Sequence, residues 1–304
     1  MLGDLGIDGL VIEDEGDFRR FLEQNRQYWD YVDEELDRSM AGKCRLTFYL
    51  EQNEEGLGKI AAVRIAMAEL KDRHPEYAPL LLTMEGVEDA DWENNWKQFY
   101  KPMEIGDRLI VIPDWEEADP QGRVALRLNP GLTFGTGSHA TTRLCLQALE
   151  KLVRPGMSVL DLGCGSGILS IAALLLGADR AYACYIDEKA VDVAYENAAL
   201  NGVGRDRYTV RAGDVLSDQG LRRDMGGGWD IVVANIVADV IIALAPAALD
   251  LMKPGGVFLC SGIIDQRADE VRAALEAQGF TIREANTSEG WYSFLCGGPG
   301  EAQA

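Results

Sequence analysis

The residues with the clearest chemical potential lie between positions 159 and 167, which read VLDLGCGSG. Gly163, Gly165 and Gly167 permit a tight turn, positive φ angles and close approach of a ligand to the backbone. The apolar helix expected after them would present free N–H groups and the positive end of its dipole. The segment therefore predicts a ligand-binding loop between a buried strand and a helix.

The spacing of these glycines discriminates between classes of ligand. A dinucleotide-binding loop follows the pattern G-x-G-x-x-G, whereas this loop reads G-x-G-x-G and is preceded by Asp161. The spacing disfavours a nicotinamide-dependent oxidoreductase and is typical of Rossmann-like methyltransferases that use S-adenosylmethionine. The alternative for the loop alone is a segment that only turns the chain.

The second half of the chain alternates strands and helices, which would position this loop. This pattern predicts an α/β fold, a Rossmann-like seven-stranded methyltransferase sheet with ligands at the carboxyl ends of its strands. The last two strands are expected to pair as an antiparallel edge. The predicted strands are 158–162, 180–186, 208–212, 230–234, 257–261, 281–284 and 291–295, and the predicted helices are 187–200, 238–251 and 268–278.

The first half of the chain alternates short strands with helices. This pattern predicts a smaller α+β, ferredoxin-like domain over residues 1–112. We expect a linker at 113–122, which contains two prolines and four acids, and a methyltransferase domain over 123–304. Aromatic residues at helical spacing should pack in the core or at a domain interface. The expected elements are strands 8–12, 44–50, 80–84 and 108–112, a helix at 58–70, and a short helix carrying Trp92, Trp96, Phe99 and Tyr100.

Composition limits the partners and the location. The 304 residues carry a net charge of −21, which disfavours nucleic-acid binding. We expect this charge to attract a basic protein, and the alternative is a solvated acidic surface with no partner. The six cysteines form no C-x-x-C pair and no histidines cluster, so we expect reduced thiols, no metal and a cytoplasmic location. No apolar run is long enough to cross a membrane. We expect a monomer or a weak oligomer.

Two further motifs narrow the class. Residues 129–142 read NPGLTFGTGSHATT and residues 234–236 read Ala-Asn-Ile after the fourth strand of the sheet. Together with the glycine loop and the Pro-Gly-Gly turn at 254–256, they resemble the PrmA family over residues 120–296. Members of that family methylate lysine side chains and an N-terminal amine on the eleventh protein of the large ribosomal subunit. The resemblance implies S-adenosylmethionine as cofactor and an N-terminal domain that docks the basic ribosomal protein.

The resemblance also implies a set of cofactor contacts. Thr142, Gly163 and Asn235 match positions that contact the cofactor in the family, with Gly165 and Gly167 in the same glycine loop. The loop from Phe134 through Gly135 and Thr136 to His139 would close over the cofactor and the target nitrogen. Asp214, after the third strand, would bind the adenine amine or else form a turn. Asn235 is also expected to position the amine, and its alternative is to cap the next helix.

One position departs from the family pattern. An acid normally binds the ribose hydroxyls at the end of the second strand, and the residue there is Tyr185. Either Asp187 supplies this contact, or Tyr185 makes a weaker one, or cofactor affinity is reduced. We expect weaker binding than in an aspartate-bearing relative.

The reaction itself needs a neutral amine, because an ammonium group has no lone pair. His139 could relay a proton or could order its loop by a hydrogen bond, and we favour the second role. Other functions remain open, namely methylation of another protein or a small amine, or a noncatalytic S-adenosylmethionine-binding module.

Overall fold

The computed structural model describes residues 2–3, 7, 10–24, 34–50, 54–77, 79–84, 100–129 and 137–299. The chain divides into two compact units, Met1–Trp96 and Lys97–Ala304. Within the described residues, no helix is both long enough and apolar enough to span a membrane.

The first unit contains an antiparallel pair of strands, in which Leu10 lies opposite Phe48 and Asp14 opposite Cys44. The segment at residues 80–84 forms no strand with the described residues, so that prediction was wrong. The predicted aromatic helix lies mostly outside the described residues, and the ferredoxin-like arrangement stays a prediction. The elements are β1 (Leu10–Asp14), α1 (Glu15–Gln24), α2 (Glu34–Met40), β2 (Cys44–Phe48) and α3 (Glu54–Arg73).

The second unit begins with a three-stranded sheet that the predicted domain boundary had divided between two domains. The fully buried strand β4 pairs with β3 on one side and, in parallel, with β5 on the other. The predicted linker at 113–122 therefore connects two strands of one sheet, and the division between units falls upstream of it. The strands are β3 (Met103–Ile105), β4 (Leu109–Pro113) and β5 (Val124–Leu128).

The main sheet has seven strands in the order β11-β12-β10-β9-β6-β7-β8. Strands β10, β9, β6, β7 and β8 are parallel, and β11 and β12 form the predicted antiparallel edge. Its strands are β6 (Ser158–Leu162), β7 (Arg180–Tyr185), β8 (Tyr208–Ala212), β9 (Trp229–Asn235), β10 (Met252–Ile264), β11 (Thr281–Ser288) and β12 (Trp291–Gly297).

Helices cover both faces of this sheet because its strands are apolar on both sides. Along β6, Val159 faces one buried cluster and Leu160 the other. The first cluster includes residues of α4, α5 and α6, and the second includes residues of α7, α8 and α9. The helices are α4 (Ala140–Leu152), α5 (Ile168–Leu175), α6 (Glu188–Leu200), α7 (Gln219–Met225), α8 (Ala238–Leu251) and α9 (Ala268–Ala277).

One close backbone approach fixes the carboxyl ends of β9 and β10. Gly262 has a φ of +91°, and a Cβ there would overlap the carbonyl oxygen of Ile236. The Ile236 N–H donates to Ser261 O at 3.0 Å. Residue 262 must therefore lack a side chain for the chain after β9 to hold its position.

We expect Gly262→Ala to lower the free energy of unfolding by about 3 kcal/mol, through positive-φ strain and overlap with Ile236. Gly290→Ala is the matched control, because Gly290 also has a positive φ of +78° but a Cβ added there would meet no atom of the described residues within 4 Å. The control should lose about 1 kcal/mol in urea unfolding. Equal losses in the two variants would contradict the steric argument.

Candidate active site

The candidate site lies where the strand order of the main sheet reverses. From β6 the chain moves outward to β7 and β8, and then returns to the other side of β6 with β9. Ligands of open α/β sheets bind in the crevice at such a switch point, outside the carboxyl ends of the strands. Asp161 lies near the carboxyl end of β6, and Asn235 lies at the carboxyl end of β9.

The glycine loop has the backbone that its sequence predicts. The φ angles of Gly163, Gly165 and Gly167 are +89°, +52° and +80°. The N–H groups of Gly163 and Cys164 both donate to the carbonyl oxygen of Cys184 at 3.0 Å. The loop is therefore a turn anchored to the neighbouring strand β7.

A buried polar chain lies beneath this loop. Asp161 is fully buried, and its Oδ2 accepts hydrogen bonds from the backbone N–H and hydroxyl of Ser170 in α5. The Tyr208 hydroxyl donates to Ser170 Oγ at 3.3 Å, and a Cβ on Gly167 would lie 2.8 Å from that hydroxyl. Burial raises the pKa of Asp161 to about 6, and its Oδ1 has no hydrogen-bond partner among the described residues.

Thr142 and Asn235, predicted separately as site residues, are in contact across 93 positions of sequence. The Asn235 Nδ2 donates to Thr142 Oγ1 at 3.3 Å, and Thr142 is buried near the start of α4. Helix α8 is capped at Val237, so the alternative role of Asn235 as its N-cap was wrong. The NH2 group of the Asn235 side chain is thus directed at Thr142. The carbonyl oxygen of the same amide is the end that can accept a hydrogen bond from a ligand.

The backbone that carries Asn235 is held between two glycines. A Cβ on Gly163 would lie 2.7 Å from Ile236 Cγ2, and Gly262 meets the Ile236 backbone from the other side. The role of Gly262 was not predicted from the sequence. The one available indication was a glycine directly after the predicted fifth strand. The position of Asn235 therefore depends on the absence of side chains at both neighbours.

The expected ribose position at the end of β7 contains both candidate residues. Tyr185 ends β7 and is half-buried, which raises the pKa of its hydroxyl and keeps that hydroxyl protonated. Asp187 is exposed and caps α6, accepting from the Lys189 N–H at 3.0 Å. A shift of Asp187 toward a ligand would thus compete with its role as a helix cap. Which residue binds the ribose stays a prediction.

Asp214 and His139 both have structural partners. Asp214 accepts from the Leu216 N–H at 2.9 Å and the Ser217 hydroxyl at 2.7 Å, which matches its alternative role as a turn former. His139 caps α4, with its Nδ1 2.8 Å from Thr141 Oγ1. Its ring lies edge-on to Trp291, and burial lowers its pKa. This arrangement agrees with the loop-ordering role favoured for His139.

The remaining predicted loop residues, Phe134, Gly135 and Thr136, lie outside the described residues. Where the structure does describe the chain, no group of three or more His, Cys, Asp or Glu side chains is placed to hold a metal ion.

A reversed strand order with a G-x-G-x-G turn at the switch point is the architecture of S-adenosylmethionine-dependent methyltransferases of the Rossmann-like class. A family model described as ribosomal protein L11 methyltransferase (PrmA) matches residues 1–297. The chain belongs to this family.

Individual relatives agree with that assignment. The chain is 38% identical to the ribosomal protein L11 methyltransferase of Caldanaerobacter subterraneus subsp. tengcongensis, over 97% of this chain and 92% of the relative. It is 40% identical to the protein of the same name from Heliobacterium modesticaldum, over 96% and 89%. The crystal structure of ribosomal protein L11 methylase from Lactobacillus delbrueckii subsp. bulgaricus aligns with a TM-score of 0.60 at 31% identity, covering 66% of this chain and 100% of that one. These similarities favour an enzyme over a noncatalytic binding module.

The buried Asp161 gives a prediction about stability and pH. Its folded pKa of about 6 lies above the ordinary value of 3.8, so the fold favours the protonated acid and loses stability as pH rises from 3.8 through 6. Relative to Asp161→Asn, which cannot titrate, the wild type should lose about 3 kcal/mol of unfolding free energy over that range. Urea unfolding of both proteins at several pH values measures this difference, and a difference that stays constant with pH would contradict it.

Proposed function

We propose that this chain transfers methyl groups from S-adenosylmethionine to lysine side chains and the N-terminal amine of ribosomal protein L11 in the cytoplasm. The observation that carries the proposal is the contact between Thr142 and Asn235 beside the glycine loop. It puts an amide carbonyl oxygen at the switch point of a sheet from a methyltransferase family. The names of the curated relatives supply the identity of the protein substrate.

The site suits a cationic nucleoside cofactor. The glycine loop gives a ligand access to bare backbone, and the buried Asp161 has an oxygen that no described group compensates. A positively charged ligand at the loop would stabilise the ionised form of that carboxyl group. Bound S-adenosylmethionine carries such charge and supplies the methyl group that the reaction transfers.

We assign the cofactor contacts by position along the crevice. The glycine loop and Thr142 would hold the methionine portion, Tyr185 or Asp187 the ribose, and Asp214 the adenine. Phe134, Gly135 and Thr136 would belong to the segment that closes over the site. The complete set is Phe134, Gly135, Thr136, Thr142, Gly163, Gly165, Gly167, Tyr185, Asp187, Asp214 and Asn235.

The chain's own contribution to the reaction is mainly alignment of a neutral amine. The Asn235 carbonyl oxygen would accept a hydrogen bond from the amine, which directs the nitrogen lone pair toward the methyl carbon. Bound S-adenosylmethionine would supply the methyl group to this nitrogen as its carbon–sulfur bond breaks, and the methylated amine would release a proton to water. We assign no general base, because His139 is engaged in capping α4.

The net charge of the chain supports a basic protein substrate. Ribosomal proteins are basic as a class, and a chain with a net charge of −21 would attract one. We propose that the first unit, Met1–Trp96, recognises the protein substrate, while the second unit carries the chemistry. The alternatives of another protein or a small amine as substrate become outcomes of the assay.

The direct test incubates the full chain with labelled S-adenosylmethionine and a cell extract that contains unmethylated ribosomal protein L11 together with other proteins and small amines. Mass spectrometry should find methyl groups on lysine side chains and on the N-terminal amine. Label incorporated only into a different protein would overturn the substrate assignment, and absence of any transfer would overturn the enzymatic one.

Asn235→Ala should lower kcat by about 100-fold, because it removes the acceptor that aligns the amine. Binding of S-adenosylhomocysteine, followed by calorimetry, should change by much less than turnover. Leu249→Ala, in the partly buried surface of α8 away from the crevice, serves as a control for general loss of packing. Wild-type turnover in Asn235→Ala with intact cofactor binding would show that this role is wrong.

Tyr185→Asp should bind S-adenosylmethionine about tenfold more tightly, because a carboxylate accepts two charge-assisted hydrogen bonds from the ribose hydroxyls. Tyr185→Phe and Asp187→Asn identify the residue that serves in the wild type, since loss of the true contact weakens binding. Calorimetric titration measures all three. Unchanged or weaker binding by Tyr185→Asp would contradict the prediction.

A further inference from the structure

A buried amide connects the glycine loop to the end of β5. Asn197 lies in the last turns of α6 and is fully buried. Its Nδ2 donates to the carbonyl oxygen of Ser166 at 3.0 Å, and its Oδ1 accepts from the N–H of Asn129 at 2.8 Å. The two ends of one side chain therefore hold backbone at the glycine loop and at the end of β5.

The two held segments are the glycine loop and the end of a neighbouring strand. Ser166 lies between Gly165 and Gly167, in the backbone that would approach the methionine portion. Asn129 directly follows β5. A single hydrogen-bonding group at this point couples the positions of these two segments.

A second asparagine one helical turn along provides a contrast. Asn201 Oδ1 accepts from the Arg127 N–H at 2.8 Å, and its Nδ2 donates to the carbonyl oxygens of Arg127 at 2.6 Å and Asn197 at 2.7 Å. It therefore holds β5 much as a neighbouring strand would, but its hydrogen bonds do not reach the glycine loop. Asn201 therefore holds β5 alone, whereas Asn197 holds both the end of β5 and the glycine loop.

We propose that Asn197 is a positioning residue for cofactor binding, which fixes the glycine loop and ties it to the end of β5. The physical reason is that glycines do not restrict their own backbone, so the shape of the loop depends on the hydrogen bonds that hold it, including the one from Asn197. Loss of a buried hydrogen bond leaves the Ser166 carbonyl and the Asn129 N–H to find other partners. The inference rests on the proposed function only in taking the loop as the cofactor site.

The test measures binding of S-adenosylhomocysteine to full-length variants by calorimetry at neutral pH. Asn197→Ala should raise Kd by about tenfold or more, whereas the control Asn201→Ala should stay within about twofold. Both variants should unfold at a lower urea concentration than the wild type. Because only Asn197→Ala should also lose affinity, the pair distinguishes an effect on the loop from a general loss of stability. In turnover assays Asn197→Ala should raise KM for S-adenosylmethionine, with kcat at saturation within about twofold of wild type.

Asn197→Asp tests the two hydrogen bonds of Asn197 separately. It keeps an oxygen that can accept from Asn129, but it places a second oxygen against the Ser166 carbonyl. We expect it to bind S-adenosylhomocysteine as weakly as Asn197→Ala. Wild-type affinity in either Asn197 variant, or an equal loss in Asn201→Ala, would overturn the proposal.

Hydrogen exchange of the wild type gives a measurement that does not depend on any variant folding. Binding of S-adenosylhomocysteine should slow exchange of the Asn129 amide, which Asn197 holds, more than that of the Arg127 amide, which Asn201 holds. Equal protection of the two amides would overturn the proposal. A wild type that binds no S-adenosylhomocysteine would instead overturn the proposed function.

Discussion

The site depends on a stretch of backbone that cannot hold its own shape. Gly163, Gly165 and Gly167 give the loop after β6 its positive φ angles and its access to a ligand, but they contribute no side chains to fix it. Hydrogen bonds supply the missing restraint. The N–H groups of Gly163 and Cys164 donate to Cys184 of β7, Asn197 donates to the loop from beneath, and Ser170 donates to the carboxyl group that precedes the loop. The polar residues under the loop are therefore as necessary to the site as those that would touch the cofactor.

Glycines also fix the opposite edge of the crevice, because the absence of their side chains lets backbone segments approach closely. Ile236 packs between Gly163 and Gly262, and this packing sets the position of Asn235 beside Thr142. The reversal of strand order between β6 and β9 brings these segments together, although they are far apart in sequence. The fold thus positions the polar groups of the site by bringing strand ends together. Only a few side chains of a particular type are then needed.

Much of this arrangement could be predicted from local patterns in the sequence. Apolar runs separated by turns identified the seven strands, and the glycine spacing identified the loop and its class of ligand. The contact between Thr142 and Asn235 and the bridging role of Asn197 could not be predicted, because both depend on how distant segments pack. The apolar residues at 80–84 suggested a strand, yet strand formation requires a partner as well as propensity. The acidic segment at 113–122 suggested a linker, although the strands on either side of it pair with each other.

A crystal structure of the chain with S-adenosylhomocysteine tests most directly whether the cofactor binds at the switch point, against a glycine loop held from below. The ligand should lie along residues 163–167, with its sulfur facing Asn235 and with the contacts of Asn197 and Thr142 intact. A ligand bound away from the carboxyl ends of β6 and β9, or one that separates Asn235 from Thr142, would contradict this arrangement.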